Sequence, residues 1–401
     1  MKVIMASPFA PEAVGNGGNH RAYQLWRDAA ETVGRENVVA FRGRPHWWPP
    51  LLDDEPDGAA AHNRLLASWK RFVRHKRRSW SGYVENPLKR WAYTYFQTNS
   101  CLTLGSLQRY EALVRSLDEP AICIIEHPGF GALLPINAKH SIKTIACSQN
   151  IESLDAVPFT LERRREFSAV GLDLANEIRL LAACDARLFI SRVEIGLIGG
   201  LGFSSHYYPY LPVGDIRSRL LEIRQLRQSA SQTPGMMLML GTAAHSTTAL
   251  SMRWFVEQAA KHGLPPGVTV VVAGLFTDAL LPKGQDVPGI ELRGWMDQPE
   301  LDALVARAQA VVMPHLLGLG APTRVSEMAC AGVPILLSRH ATYGIDLPPG
   351  THVLDNDWRI WSQAMLDAVA GLPGLERSKY ENWERAQPNP LRRLLDEWSN
   401  G

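Results

Sequence analysis

Gly318-Leu319-Gly320-Ala321-Pro322-Thr323-Arg324-Val325-Ser326-Glu327-Met328-Ala329-Cys330-Ala331-Gly332-Val333-Pro334 is the stretch on which the reading of this chain turns. It follows a short apolar run, Ala310–Met313, which reads as a strand, so the glycines fall in a strand-to-helix turn. Gly318 and Gly320 permit a tight turn of bare backbone. Pro322 suits the first position of a helix, and Gly332 followed by Pro334 ends it. At 100° per residue Thr323, Arg324 and Glu327 share one face, while Val325, Met328, Ala329 and Gly332 fall on the other, against a sheet. The open face offers backbone N–H groups at a positive helix end, a guanidinium, and a carboxylate one turn on. Such an end suits phosphate, with Arg324 as a clamp and Glu327 accepting from ribose hydroxyls. The competing reading is a Gly-Pro loop capping an ordinary helix, with Arg324 and Glu327 a solvated pair; a Gly-rich turn before a helix is a weak signal alone.

Outward from this stretch, apolar runs of four to six residues recur, each ending in a turn and then a helical pattern. Strands are expected at Lys2–Ala6, Asn37–Ala40, Ala121–Ile125, Lys143–Ala146 and Ala186–Ile190, and again at Met236–Leu240, Thr269–Ala273, Ile290–Leu292, Ala310–Met313 and Pro334–Leu337. Runs buried on both faces and alternating with helices are the signature of parallel sheets. The pattern restarts near Met236, after the turn-rich stretch Tyr207–Asp215. The expected division is residues 1–210, 211–378 and a helical tail 379–401. Two such domains leave a cleft between the carboxyl ends of their sheets.

The 401 residues suit two domains of roughly 150–200 each. With 46% apolar and 20% charged residues and a net charge of +2, the composition is globular and gives no field for nucleic acid. Cys101, Cys123, Cys147, Cys184 and Cys330 form no CxxC pair, which fits reduced thiols better than a zinc site. No apolar window reaches the roughly 20 residues of a spanning helix. A cytoplasmic location is the expectation.

The C-terminal half resembles retaining GT-B glycosyltransferases of the family-4 type. Five blocks carry the resemblance in order: Met239-Leu240-Gly241-Thr242; Val271-Val272-Ala273-Gly274; Leu292-Arg293-Gly294-Trp295 with Glu300-Leu301; Val312-Met313-Pro314; and the opening stretch. The implied fold is α/β, GT-B, two Rossmann-like doubly wound domains facing each other across a cleft. The implied activity is transfer of a sugar from a nucleotide-diphosphate sugar, a substrate, with no further cofactor. The basic residue of the Gly-rich block contacts the donor diphosphate in that family, which implies this role for Arg324; the helix glutamate holds the ribose, here Glu327; backbone near Trp295 holds the base. Gly241, Thr242, Pro322 and Thr323 complete the implied donor side. Many members carry a second glutamate eight positions earlier, near the transferred sugar; Leu319 stands there.

The N-terminal half resembles the family more loosely. Gly15-Asn16-Gly17-Gly18-Asn19-His20 leads into a helical pattern, and backbone N–H groups near Gly17 and Gly18 can approach an anionic donor. Strand Ala121–Ile125 runs into Glu126-His127-Pro128, where the family often has a functional His, so His127 joins Arg324 as a catalytic candidate; a lone His is more often structural. His20, Asn150 and Glu152 are the acceptor-side candidates, and Ser191 and Glu194 continue the familiar order. Asp355-Asn356-Asp357 reads as a turn and helix cap, so no metal site is expected.

Lys70–Trp80 holds six Lys/Arg among the nine residues Lys70–Arg78, with Trp69 and Trp80 beside them. That mixture suits the headgroup layer of an anionic membrane, where a lipid-linked acceptor would be within reach of a peripheral enzyme; the alternative is a solvated helix face. A glycan is the other expected acceptor. Rival functions are a GT-B sugar-nucleotide epimerase and a non-catalytic nucleotide-sugar or glycan-binding protein. A dehydrogenase is disfavoured because Gly15-Asn16-Gly17-Gly18 lacks G-x-G-x-x-G spacing.

Overall fold

The computed structural model describes residues 1–15, 17–42, 102, 104–155, 167–243, 245–282, 284–318, 320–372 and 375–399. The basic-aromatic segment 70–80 and Leu319 lie outside these residues. Two separate six-stranded parallel sheets form the frame. The first contains β1 (Lys2–Ala6), β2 (Val38–Phe41), β3 (Ala121–Ile125), β4 (Lys143–Ala146), β5 (Ala186–Phe189) and β6 (His206–Tyr207), in the order β2-β1-β3-β4-β5-β6. The second contains β7 (Met236–Leu240), β8 (Thr269–Ala273), β9 (Ile290–Gly294), β10 (Ala310–Met313), β11 (Ile335–Ser338) and β12 (Thr351–Leu354), in the order β12-β11-β10-β7-β8-β9.

The central strands are mostly apolar because both faces are covered, with Lys2, Lys143 and Thr269 confined to strand starts. In β1, Ile4 and Ala6 enter one core and Val3 and Met5 another, on opposite sides of the sheet. In β7, Leu238 packs on one side and Met237 and Met239 on the other. Ten strands fall where the apolar runs predict them, six with the expected bounds and four with ends displaced by one or two residues. The two edge strands, β6 and β12, are not legible as runs: β6 has two residues, and only Leu354 of β12 is buried.

Strand order reverses between β1 and β3 in the first sheet and between β7 and β10 in the second. At such a switch point adjacent crossovers leave on opposite faces, opening a crevice at the carboxyl ends of the strands. The loop after β1 begins at Ser7 and leads to the helix Gly17–Val33, and β3 is followed by Glu126-His127; the loops after β7 and β10 begin at Gly241 and Pro314. The folding of the sheets thus brings His127, Gly241, Thr242 and Arg324 to the two switch points, while Trp295 follows the edge strand β9.

The expected helical tail, 379–401, is described to residue 399 and falls in two helices. Helix Arg377–Arg385 buries Tyr380 in the core beneath the second sheet. Helix Pro390–Ser399 returns to the first sheet, where Leu391, Leu394 and Leu395 pack with Val3, Leu25 and Ala29. Arg392 fastens it to buried Asp28 at 2.7 Å. Among the described residues, no helix is long and apolar enough to cross a membrane.

Candidate functional site

Helix Thr323–Cys330 follows β10 as expected, but Pro322 occupies the cap position (φ −71, ψ 103) instead of the first helical one. Arg324 folds back toward β7, donating from Nη1 to the Leu240 carbonyl at 2.7 Å. That bond places the guanidinium at the switch point, beside Gly241. Backbone crowding there is severe: Gly274 has φ +134, and a Cβ on it would lie 1.7 Å from the Gly241 oxygen.

The expectation that Thr323, Arg324 and Glu327 present one open face is corrected by the structure, because the N-terminal half covers it. A Cβ on Gly17 would lie 2.7 Å from Thr323 Oγ1, and one on Gly320 would lie 1.8 Å from Asn150 Oδ1. Glu327 is only 9% exposed. Its Oε1 lies 2.6 Å from His20 Nδ1 and accepts from the Tyr210 hydroxyl at 2.9 Å. Burial acts to raise the Glu327 pKa, and His20, Tyr210 and Arg324 together overcome it, holding the carboxyl down at about 2. His20, expected on the acceptor side, thus meets the residue expected to hold the ribose. Helical arithmetic orients side chains away from their own sheet and contains no information about a second domain.

At the other crevice His127 sits at the amino end of the short helix Pro128–Leu133, its Nδ1 accepting from the Gly129 N–H at 2.9 Å. Burial pulls its pKa down to about 4. The ring is therefore neutral near pH 7, and with Nδ1 accepting, the proton is on Nε2. That atom points toward Glu152, whose Oε1 is 3.9 Å away, beyond hydrogen-bond length. His127 and Glu152 are brought together; Glu194, expected to continue this order, accepts from the Ile151 N–H at 2.6 Å and braces the loop that carries Asn150 and Glu152. Trp295 stands just beyond β9, three strand spacings or roughly 14 Å from β10, and is 36% exposed. Gly18 packs against the Phe9 ring. Gly241 N–H is taken by the Ala273 carbonyl, and Thr242 O accepts from His245 N–H.

Three residues of the site escaped the sequence. Tyr210 lies in Tyr207-Tyr208-Pro209-Tyr210-Leu211-Pro212, whose prolines mark a connector and mask the buried role of its aromatics. His315 and His340 stand after β10 and beside β11, ring centres 5.6 Å apart, with His340 Nε2 donating to the Gly318 carbonyl at 2.9 Å. Burial, then His340 and His245, lower the His315 pKa to about 4. Isolated histidines on separate loops carry no spacing that would have found them. Asp357 caps helix Trp358–Gly371, as its sequence predicted, by accepting from Arg359 N–H. Among the described residues no three His, Cys, Asp or Glu side chains are arranged to hold a metal ion.

Glu126, beside His127, is 2% exposed and accepts from Ser7 Oγ and from Gln149 Nε2. Burial pushes its pKa up to about 7, against the lowering effect of those bonds and Arg21. A carboxyl raised from 4.5 contributes stability that is full below that value and is lost as pH climbs to about 7. Glu126→Gln should remove this component, so the melting temperature of wild type minus that of the variant should fall between those two pH values. A difference independent of pH would overturn the assignment.

No family model matches the chain, and no curated protein gives a significant match. Solved structures do share its fold. The complex of Anabaena Alr3699/HepE with UDP has 11% identity, with 92% of this chain and 90% of that chain covered and a TM-score of 0.52. The α,α-trehalose-phosphate synthase (UDP-forming) of Burkholderia xenovorans, in complex with glucose-6-phosphate, has 11% identity, 94% of each chain covered and a TM-score of 0.54. The α,α-trehalose 6-phosphate synthase of Burkholderia multivorans has 10% identity, 95% and 91% covered and a TM-score of 0.52. The fold class is therefore the one the sequence implied: GT-B, two doubly wound α/β sheets.

Proposed function

We propose that this protein is a glycosyltransferase that moves a sugar, a hexosyl group by the family resemblance, from a nucleoside-diphosphate sugar to a hydroxyl acceptor. The observation that carries the reading is the meeting of the two switch points: Gly17 and His20 of the first touch Thr323 and Glu327 of the second. Ligands of doubly wound sheets bind at such crevices. The shared fold of UDP-bound and UDP-forming proteins supports the same donor class. The family-4 character and retention of configuration rest on the five sequence blocks.

In this reading the amino end of helix Thr323–Cys330 and the Arg324 guanidinium stabilise the departing diphosphate, without need of a metal ion. Glu327 meets the ribose, and the base lies along the sheet toward Trp295. His127 has Nδ1 occupied and its proton on Nε2, so it serves as a hydrogen-bond donor to the sugar or acceptor and not as a base. With retention, the acceptor attacks on the leaving-group face, and the diphosphate receives its proton. Asn150 and Glu152 border the acceptor.

The test is a panel of UDP-, GDP- and ADP-sugars, read by thermal stabilisation and by nucleoside diphosphate release. A bound nucleotide at a hundred times its dissociation constant should add about 2.7 kcal/mol. Slow hydrolysis of the same donor, accelerated by a glycan acceptor, is the expected result. Stabilisation without release would favour the binding-protein reading that Leu319 supports, and inversion at a sugar carbon would favour an epimerase.

A further inference from the structure

We propose that His20 and Tyr210 are positioning residues that reach across from the N-terminal half and hold the Glu327 carboxylate aimed at the nucleotide, so that a complete donor site exists only when the two halves meet. This rests on the reading of Glu327 as the ribose ligand. Both residues bond to the same oxygen, Oε1, and in the proposed role Oε2 is the atom that meets the ribose. Neither bond comes from the helix that carries Glu327 or from the sheet beneath it. His20 belongs to helix Gly17–Val33 and Tyr210 to the segment after β6.

The arrangement is costly, which argues that it serves a purpose beyond packing. His20 is 6% exposed, and its second ring nitrogen, Nε2, is buried with no hydrogen-bond partner. A carboxylate taken out of water needs compensating donors. The charged and titratable groups acting on Glu327 are His20, Tyr210 and, from its own helix, Arg324. Tyr380 and Arg219 act in turn on Tyr210 from the helices Arg377–Arg385 and Gly214–Ser229. Of these, His20 has the largest effect in keeping Glu327 ionised. Without it, only Tyr210 and Arg324 would oppose the effect of burial, and the carboxyl would ionise less readily.

The experiment is calorimetric titration of wild type, His20→Ala, His20→Asn, Tyr210→Phe and Glu327→Gln with UDP, GDP and ADP, at pH 7.5 and about two units lower. For the diphosphate that binds wild type, His20→Ala should weaken affinity roughly tenfold and Tyr210→Phe roughly threefold to tenfold. His20→Asn, whose amide can donate as Nδ1 does but carries no charge, should recover part of the loss. The ratio of His20→Ala to wild-type dissociation constants should grow at the lower pH; taking the ratio cancels the ligand's own titration. Wild-type affinity in His20→Ala and Tyr210→Phe, beside a weakened Glu327→Gln, would overturn the positioning role and leave the proposed function standing. Wild-type affinity in Glu327→Gln would overturn both. If His20→Ala fails to fold, Tyr210→Phe, which removes one hydroxyl and no volume, decides alone.

Discussion

Arg324→Ala should bind a nucleoside diphosphate roughly ten- to a hundredfold more weakly than wild type, while its affinity for the bare nucleoside barely changes. Charge-assisted hydrogen bonds contribute about 1.5–3 kcal/mol each, and about 1.4 kcal/mol is one decade in affinity. The guanidinium is tethered by one bond, to the Leu240 carbonyl, and has further N–H groups to offer a phosphate. It is therefore held in place before a ligand arrives, which limits the entropy lost on binding. Arg324→Lys should recover only part of the loss, because an ammonium cannot hold Leu240 and clamp two oxygens in one plane. Calorimetry with the diphosphate and the nucleoside side by side checks this. Equal losses for both ligands would move Arg324 away from the phosphates.

Arg224→Met should destabilise the fold by about 3 kcal/mol or more. Arg224 is 3% exposed in helix Gly214–Ser229, and its three nitrogens donate to the carbonyls of Ala329, Cys330 and Leu375. Two of those carbonyls end the helix that carries Arg324 and Glu327, where unpaired oxygens and the negative helix end both call for a cation. Methionine fills a similar volume but takes the guanidinium donor from all three oxygens; Ala329 O keeps the Gly332 N–H, and the losses at Cys330 and Leu375 cost about 1–3 kcal/mol each before relaxation. Gly332, at φ +73 and packed on the Arg224 side chain, closes the same turn. A urea midpoint shift is the measurement. A change below about 1 kcal/mol would show that water replaces the guanidinium.

Much of the architecture is legible without coordinates. The runs Val3–Ala6 and Met236–Leu240 declare doubly buried parallel strands, because only a strand covered on both faces is apolar at successive positions. The turn Gly318–Pro322, set after β10, announces a helix end at a crevice. The edge strand Thr351–Leu354 could not be seen, since only Leu354 is buried and nothing selects an apolar run. The second C-terminal helix could be read as helical, but not as belonging to the other half of the molecule. Its partner, Asp28, is 364 residues away from Arg392.

The sequence by itself determined the parallel α/β sheets, with GT-B added by the family resemblance, the strand-turn-helix element with Arg324 and Glu327, and the placing of His127 after a strand terminus. These follow from local chemistry: periodicity, glycine and proline at fixed offsets, and charge at a helix end. Only the tertiary structure decided that Glu327 is buried, that His20 and Tyr210 hold it, that Asn150 lies against Gly320, and that His127 stands near Glu152. Each of those is a contact between segments distant along the chain. Helical and strand periods orient a side chain relative to its own element, whereas what it meets is set by how two sheets and their crossovers pack. That packing is the sum of many burial energies, and no single motif encodes it.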